Sequence, residues 1–261
     1  EVALKIARAA TGRHKTISFW DSFHGAGFGA SSVGGEELFR ANIFGPLLTG
    51  SEHVAPFDCY RCPYGYPDSN GKPQLEICNM TCEKFISYVL EKEGDVAAVI
   101  AEPARAVPYI PPPGFWSRVR KACNEHGTLL IFDEIPTGLG KSGKMFACEH
   151  DEVVPDILVL GKSLGGGIMP IAAVLVKTEL DILGEYAIGH YTHEKNPVST
   201  CAALTTIQII EEEGLVENAS KLGVHAIERL NSLKDKHPSI GDVRGRGFLF
   251  GVELVLDKNE K

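Results

Sequence analysis

Apolar and polar positions follow two rhythms along this 261-residue chain. In EVALKIARAATGR, Val2, Leu4, Ile6, Ala7 and Ala10 recur at roughly helical spacing and predict a helix at the start. KFISYVLEKEGD reads as an amphipathic helix ending at Gly94, and GFWSRVRKACNEHG as another from Gly114 to His126, stopped by Gly127. Two more follow: PVSTCAALTTIQIIEEEG, with a proline start and a glycine stop, and the segment from Leu215 to His237. Between the helices fall short uninterrupted apolar runs: Ile17 to Phe19, Val96 to Ala101, TLLIFDE, Ile157 to Leu160, Ile171 to Val176 and GFLFGVEL. Such runs predict strands buried on both faces. Strands alternating with longer helical patterns predict an α/β fold of three layers, a mainly parallel central sheet flanked by helices. Two stretches read as loops. Gly25 to Gly35 is rich in Gly and Ser, and Glu52 to Lys72 is dense in Pro, Gly and Tyr. Long ordered loops are disproportionately functional.

Charge and cysteine usage narrow the class. A net charge of −8, with no basic cluster, argues against nucleic acid as a partner. No apolar run approaches the roughly 20 residues that span a bilayer, so no membrane partner is expected. Seven cysteines, an odd number without a signal peptide, predict free thiols in a reducing, cytoplasmic compartment. Both ends read as cut. No initiator Met or N-cap precedes the first helix, and the last strand runs into a charged stub.

Three polar groups fall at strand ends: Glu102 after VAAVIA, Asp133 after LLIF and Lys162 after ILVLG. In an α/β sheet, sites form at the carboxyl ends of strands. A lysine at the mouth of an apolar strand is expected to be desolvated, which lowers its pKa and makes it a nucleophile toward a carbonyl. A carboxylate at a neighbouring strand end can hold a protonated ring nitrogen. That pair, a lysine Schiff base and an acidic partner for a pyridinium, is what pyridoxal phosphate requires. The alternative is a buried Lys–Asp ion pair. In DSFHGAGFGASS, Phe23 and His24 precede a glycine-rich turn, where a ring can stack on a planar cofactor; otherwise Phe23 is core and His24 a turn residue. A metal reading of His190 and His193 lacks a set of donors to complete it.

Taken in order, EVALKIAR, SFHG, IAEP, LLIFDEIPTGLGKSGKMFACEH, PDILVLGKSLGGGIMPIAAV, THEKNP and DVRGRGFLFGVEL resemble the landmarks of the class III aminotransferases, which are fold-type I pyridoxal-phosphate enzymes. Within that family the chain looks most similar to dialkylglycine decarboxylase-like and lyase-type members. The resemblance implies the large domain of that fold over residues 1–220, with its N-terminal part missing, and the start of a truncated small domain over residues 221–261. It implies pyridoxal 5'-phosphate as cofactor, a small-molecule amine as substrate, and a homodimer with shared active sites. Lys162 would form the Schiff base and serve as acid and base, and Asp133 would pair with the ring nitrogen. Phe23 and Ile135 would lie against the two ring faces, His24 would flank the ring, Glu102 would line the substrate side, and Thr192 would reach the phosphate of the other subunit. The phosphate-cradling loop ahead of Glu1, and the C-terminal arginine that in many members binds a carboxylate, are not in the chain.

Two departures bear on specificity. Many members have Gln where this chain has Pro136, whose side chain cannot donate to the ring oxygen. Arg105 stands where many members have an uncharged residue, three positions from Glu102, and it could bind a carboxylate, phosphate or phosphonate. Its other reading is a loop arginine or a partner for Glu102. The expected activity is transamination of a primary amine or amino acid. Elimination or decarboxylation on an amino compound bearing a phosphate, phosphonate or carboxylate is the alternative, and a non-catalytic or zinc-stabilised interaction protein the second. Cys59 and Cys62 in CYRC, and Cys78 and Cys82 in CNMTC, have the spacing of zinc ligands or a redox pair. The resemblance implies no metal, and none is assigned.

Overall fold

VAAVIA is apolar at every position because it lies at the centre of the protein. The computed structural model describes residues 1–66 and 74–258. This run is β3 (Val96–Ala101), and all its residues are buried. Five more strands join it: β1 (Lys15–Phe19), β2 (Ser51–Val54), β4 (Leu129–Asp133), β5 (Ile157–Leu160) and β6 (Ala173–Val176). The sheet order is β2-β1-β3-β4-β5-β6. All neighbouring pairs are parallel except β6, which runs antiparallel to β5.

Side chains alternate across each strand, so the sheet has two covered faces. On one face, Val99, Ala101, Leu130 and Phe132 join Phe115, Trp116 and Val119 of α5 (Phe115–His126), and Ile86 and Leu90 of α4 (Thr81–Glu93). Trp116 is the hub of that layer. Its ring lies 4.8 Å from Phe132, 4.9 Å from Phe115 and 5.5 Å from Phe57, mostly edge-on as aromatic quadrupoles prefer. On the other face, Ala98, Ile100, Ile131 and Ile157 pack on Leu4, Ile6 and Ala7 of α1 (Val2–Thr11). The predicted three-layer α/β architecture is what forms.

Four features differ from the sequence reading. The segment 51–54, half-assigned to a loop, is the edge strand β2; its polar SEHV suits an edge. Of the remaining loop residues, 55–66 are without helix or strand, as expected, and 67–72 lie outside the described residues. A short helix, α2 (Phe28–Val33), sits within the Gly/Ser-rich stretch, and a one-turn helix, α3 (Leu75–Cys78), precedes α4. The helices α6 (Pro197–Glu212) and α7 (Leu215–Lys234) are followed by an unforeseen strand, β7 (Ile240–Arg246). Its sequence IGDVRGR lacks apolar alternation, because it pairs with β8 (Leu249–Leu254) in a separate two-stranded sheet. Residue 221, the expected domain boundary, falls inside α7.

Among the contacts that dock this hairpin, two bear on its position beside the sheet. A Cβ on Gly223 of α7 would lie 2.4–2.6 Å from the backbone of Gly247, so helix and turn touch through bare backbone. On its other side, Arg244 pairs with Asp242 and Glu253 and donates from Nε to the Pro108 carbonyl at 2.5 Å. The guanidiniums of Arg244 and Arg105 both approach the Tyr109 ring, at 5.6 and 5.5 Å from its centroid.

Candidate active site

Strands β3, β4 and β5 are neighbours, so Glu102, Asp133 and Lys162 stand in a row at the carboxyl edge of the sheet. Asp133 ends β4 in register with Val159 and is buried. One oxygen accepts the Ile135 backbone N–H at 3.1 Å, the other meets His24 Nδ1 at 2.9 Å. A carboxylate only accepts, so Nδ1 carries the hydrogen and donates. The His24 side chain is 2% exposed, and its Nε2 has no hydrogen-bond partner among the described residues. A buried polar atom left open in this way marks a place where something polar is expected.

Glu102 holds the loop that carries His24. Its carboxylate accepts the N–H of Phe23 at 3.3 Å and of Ala106 at 2.9 Å, and burial raises its pKa above the usual range. Phe23 is partly exposed, with its ring 4.4 Å from that of Phe39. Ile135 is half-buried, and a Cβ on Gly161 would come within 3.3–3.4 Å of its γ carbons. Gly161 therefore lets Ile135 lie close to the chain that leads into Lys162.

Lys162 corrects the expectation of a desolvated lysine. It is exposed. It opens a short 3-10 turn, Lys162–Gly165, with φ at 43°, a left-handed value that costs about 1 kcal/mol or more for a residue with a Cβ. The strand end turns outward there, and Lys162 lines an open groove of about 780 Å³ with Ser163, Gly166, Thr206 and Ile210. Thr192 lies on the exposed loop before α6 and lines a different groove, with Val159, Ile171 and Tyr191. The structure thus gathers Asp133, His24, Glu102 and the Phe23 backbone into one hydrogen-bonded unit, sets Lys162 on the adjoining strand end, and leaves Thr192 apart. Arg105 is paired with Glu36 rather than Glu102, and its Nε has no partner among the described residues.

Glu134 went unnoticed in the sequence. It is buried, and its carboxylate accepts from Ala147 N at 2.7 Å, Cys148 N at 2.8 Å and Thr137 Oγ1 at 2.9 Å. It ties the loop after β4 to the segment that returns toward β5. The only signal was a second acid directly after an apolar strand, in FDE. His190 and His193 are exposed. Cys59, Cys62, Cys78 and Cys82 line one small cavity, although among the described residues no three His, Cys, Asp or Glu side chains surround a common point at metal-bonding distance. None of the described helices is long and apolar enough to cross a membrane.

A family model described as aminotransferase class-III matches residues 1–261. The chain is 42% identical over 264 residues to an (R)-1-hydroxy-2-aminoethylphosphonate ammonia-lyase of Vibrio splendidus, covering 98% of this chain and 55% of the relative. It is 39% identical over 288 residues to an adenosylmethionine-8-amino-7-oxononanoate aminotransferase of Methanocaldococcus jannaschii, covering 100% of this chain and 61% of the relative. An amine transaminase from an uncultivated Pseudomonas species, solved in a PLP-bound form, superposes with a TM-score of 0.89 at 32% identity, over 98% of this chain and 60% of the other. The chain spans little more than half the length of the curated relatives it matches.

Proposed function

Since the chain belongs to the class III aminotransferases, we propose that it is the cofactor-binding part of an enzyme that uses pyridoxal phosphate to move an amino group from a primary amine or amino acid to a keto acid. The observation that carries this reading is Asp133, buried and bonded to His24, on the strand end beside that of Lys162. The open Nε2 of His24 supports a polar ring compound there, since it gives the histidine a further partner.

When bound, the cofactor supplies an electron-withdrawing ring that stabilises negative charge on the carbon beside the amino nitrogen. Asp133 would accept the ring N–H, and His24, donating to the same carboxylate, holds it in place. Phe23 and Ile135 would cover the two ring faces. Lys162 Nζ would hold the aldehyde carbon and, once released, take the proton from the substrate carbon and return it. Glu102 fixes the Phe23–His24 turn and lines the substrate side. Thr192, beside exposed Tyr191, would meet the phosphate held by a second copy of the chain, in a homodimer. Residues 221–261, with the β7–β8 sheet, would begin a second domain. Seven cysteines without a disulfide fit a reducing cytoplasm.

Elimination of ammonia is a second reading. The similarity to an ammonia-lyase favours it, as does Pro136, which offers no side-chain donor. In that case Lys162 would still take the proton from the carbon bearing nitrogen, a leaving group such as hydroxide would depart from the neighbouring carbon, and water would hydrolyse the resulting enamine, as its imine, to a carbonyl compound and ammonia. The purified protein with pyridoxal phosphate, given a panel of amines with and without a keto acid, separates the two. Amino product that requires the keto acid supports transamination. Ammonia released without it supports the lyase. A Lys162→Ala variant that turns over either way at the unmutated rate would refute both.

A further inference from the structure

The cysteines that this chemistry leaves unused stand together. Cys59 and Cys62 lie on the loop after β2, Cys78 ends α3, and Cys82 is in the first turn of α4. All four line one apolar cavity of about 30 Å³, are partly buried, and form no disulfide. That space admits a single ion or water and no organic ligand. Among the described residues, no lysine or arginine lines it.

The backbone is arranged to bring the sulfurs there. Asn79 and Met80, between Cys78 and Cys82, both have left-handed φ, 45° and 51°. Two such residues in succession, neither of them glycine, persist only where the surroundings require them. Thr81 Oγ1 clamps the turn by donating to the Cys78 carbonyl at 2.6 Å. Asp58 and Tyr64 beside the four cysteines bring no positive charge. A divalent cation would supply the positive charge that this four-cysteine lining lacks.

We propose that Cys59, Cys62, Cys78 and Cys82 bind one structural zinc ion that fastens the loop after β2 to the start of α4. Four thiols release four protons as four sulfur–zinc bonds form, and the site carries a net charge of −2. An all-sulfur set selects zinc over harder cations, and a one-ion cavity excludes an iron–sulfur cluster. The sulfurs do not yet surround a common point at bonding distance, so binding draws the two segments together.

Elemental analysis of the purified protein, prepared without chelator, tests this. One zinc per chain is expected, released by a thiol-blocking reagent. Cobalt(II) in its place is expected to show thiolate-to-metal charge-transfer absorption in the near ultraviolet. Cys59→Ser and Cys82→Ser lose the band, whereas Cys201→Ser, at an exposed position on α6, keeps it. Should the first two variants fail to fold, the unmutated protein decides: no zinc and no cobalt band overturns the proposal. Metal retained in folded Cys59→Ser and Cys82→Ser, iron in place of zinc, or disulfides among these four cysteines would overturn it equally.

Discussion

Replacing Glu134 by Gln changes one atom type in the core. The two carboxylate oxygens receive three hydrogen bonds, two on Oε2 from Thr137 and Ala147, and one on Oε1 from the Cys148 N–H. Burial raises the carboxyl's pKa, while the Ala147 and Cys148 N–H groups and Thr137 pull it back toward the charged form. A glutamine keeps its one oxygen best where two donors meet, which turns its NH2 toward the Cys148 N–H. That leaves a buried donor facing a donor, at a cost of about 1–3 kcal/mol. The two remaining bonds lose charge assistance, at roughly 0.5 kcal/mol each. The sum is about 3 kcal/mol, and for a protein of this size about 6–12 °C in Tm. Thermal unfolding followed by circular dichroism measures it, and hydrogen exchange at the Ala147 and Cys148 amides localises it. The Cys148 amide is expected to lose protection before the amides of β3. An unfolding midpoint within a degree of the unmutated protein, with Cys148 still protected, would show that Glu134 does not brace this loop.

Gly223→Ala should separate α7 from the β7–β8 turn, because the added methyl meets backbone on a residue that cannot step aside. A loss of about 1–3 kcal/mol and faster proteolytic cutting near Gly247 are expected; an unchanged melt would refute the contact. Asp156 is buried and receives Lys177 Nζ at 2.6 Å, the Leu130 N–H at 2.8 Å and Arg120 Nη1 at 2.6 Å. Burial pushes its pKa up, and these three partners together outweigh that, so it lies below the usual aspartate range. Its contribution to stability is therefore complete above the unfolded value of about 3.9 and fades as pH falls through the lower folded value. Asp156→Asn should flatten the acid limb of a stability-versus-pH curve, and an unchanged limb would assign the acid sensitivity elsewhere.

The sheet was legible in the sequence because its central strands, β3, β4 and β5, are largely buried on both faces, and such strands spell themselves as unbroken apolar runs. β2 and β7 were hidden for the opposite reason. An edge strand and a two-stranded hairpin face solvent, so SEHV and IGDVRGR carry no apolar signature. The row of Glu102, Asp133 and Lys162 could be read from strand order alone, since each follows an apolar run directly. The surroundings of these residues could not. The His24–Asp133 bond joins residues 109 positions apart, and the Arg105–Glu36 pair joins residues 69 apart. No local pattern announces either. Whether Lys162 points into the core or out of it depends on a left-handed turn that a lysine gives no sign of adopting.

The hairpin's grip on Pro108 places a lever beside the row of acids. From Arg244 Nε the path runs through the Pro108 carbonyl, along two residues of chain to the Ala106 N–H, and from there into the Glu102 carboxylate. Glu102 in turn holds the Phe23 backbone, next to His24. A push on β7 from outside the sheet therefore arrives at the His24–Asp133 pair through three hydrogen bonds and short spans of chain, without crossing the aromatic layer around Trp116. Whatever packs against the hairpin has a handle on how far the Phe23–His24 turn stands from the strand ends, and so on the width of the space above them.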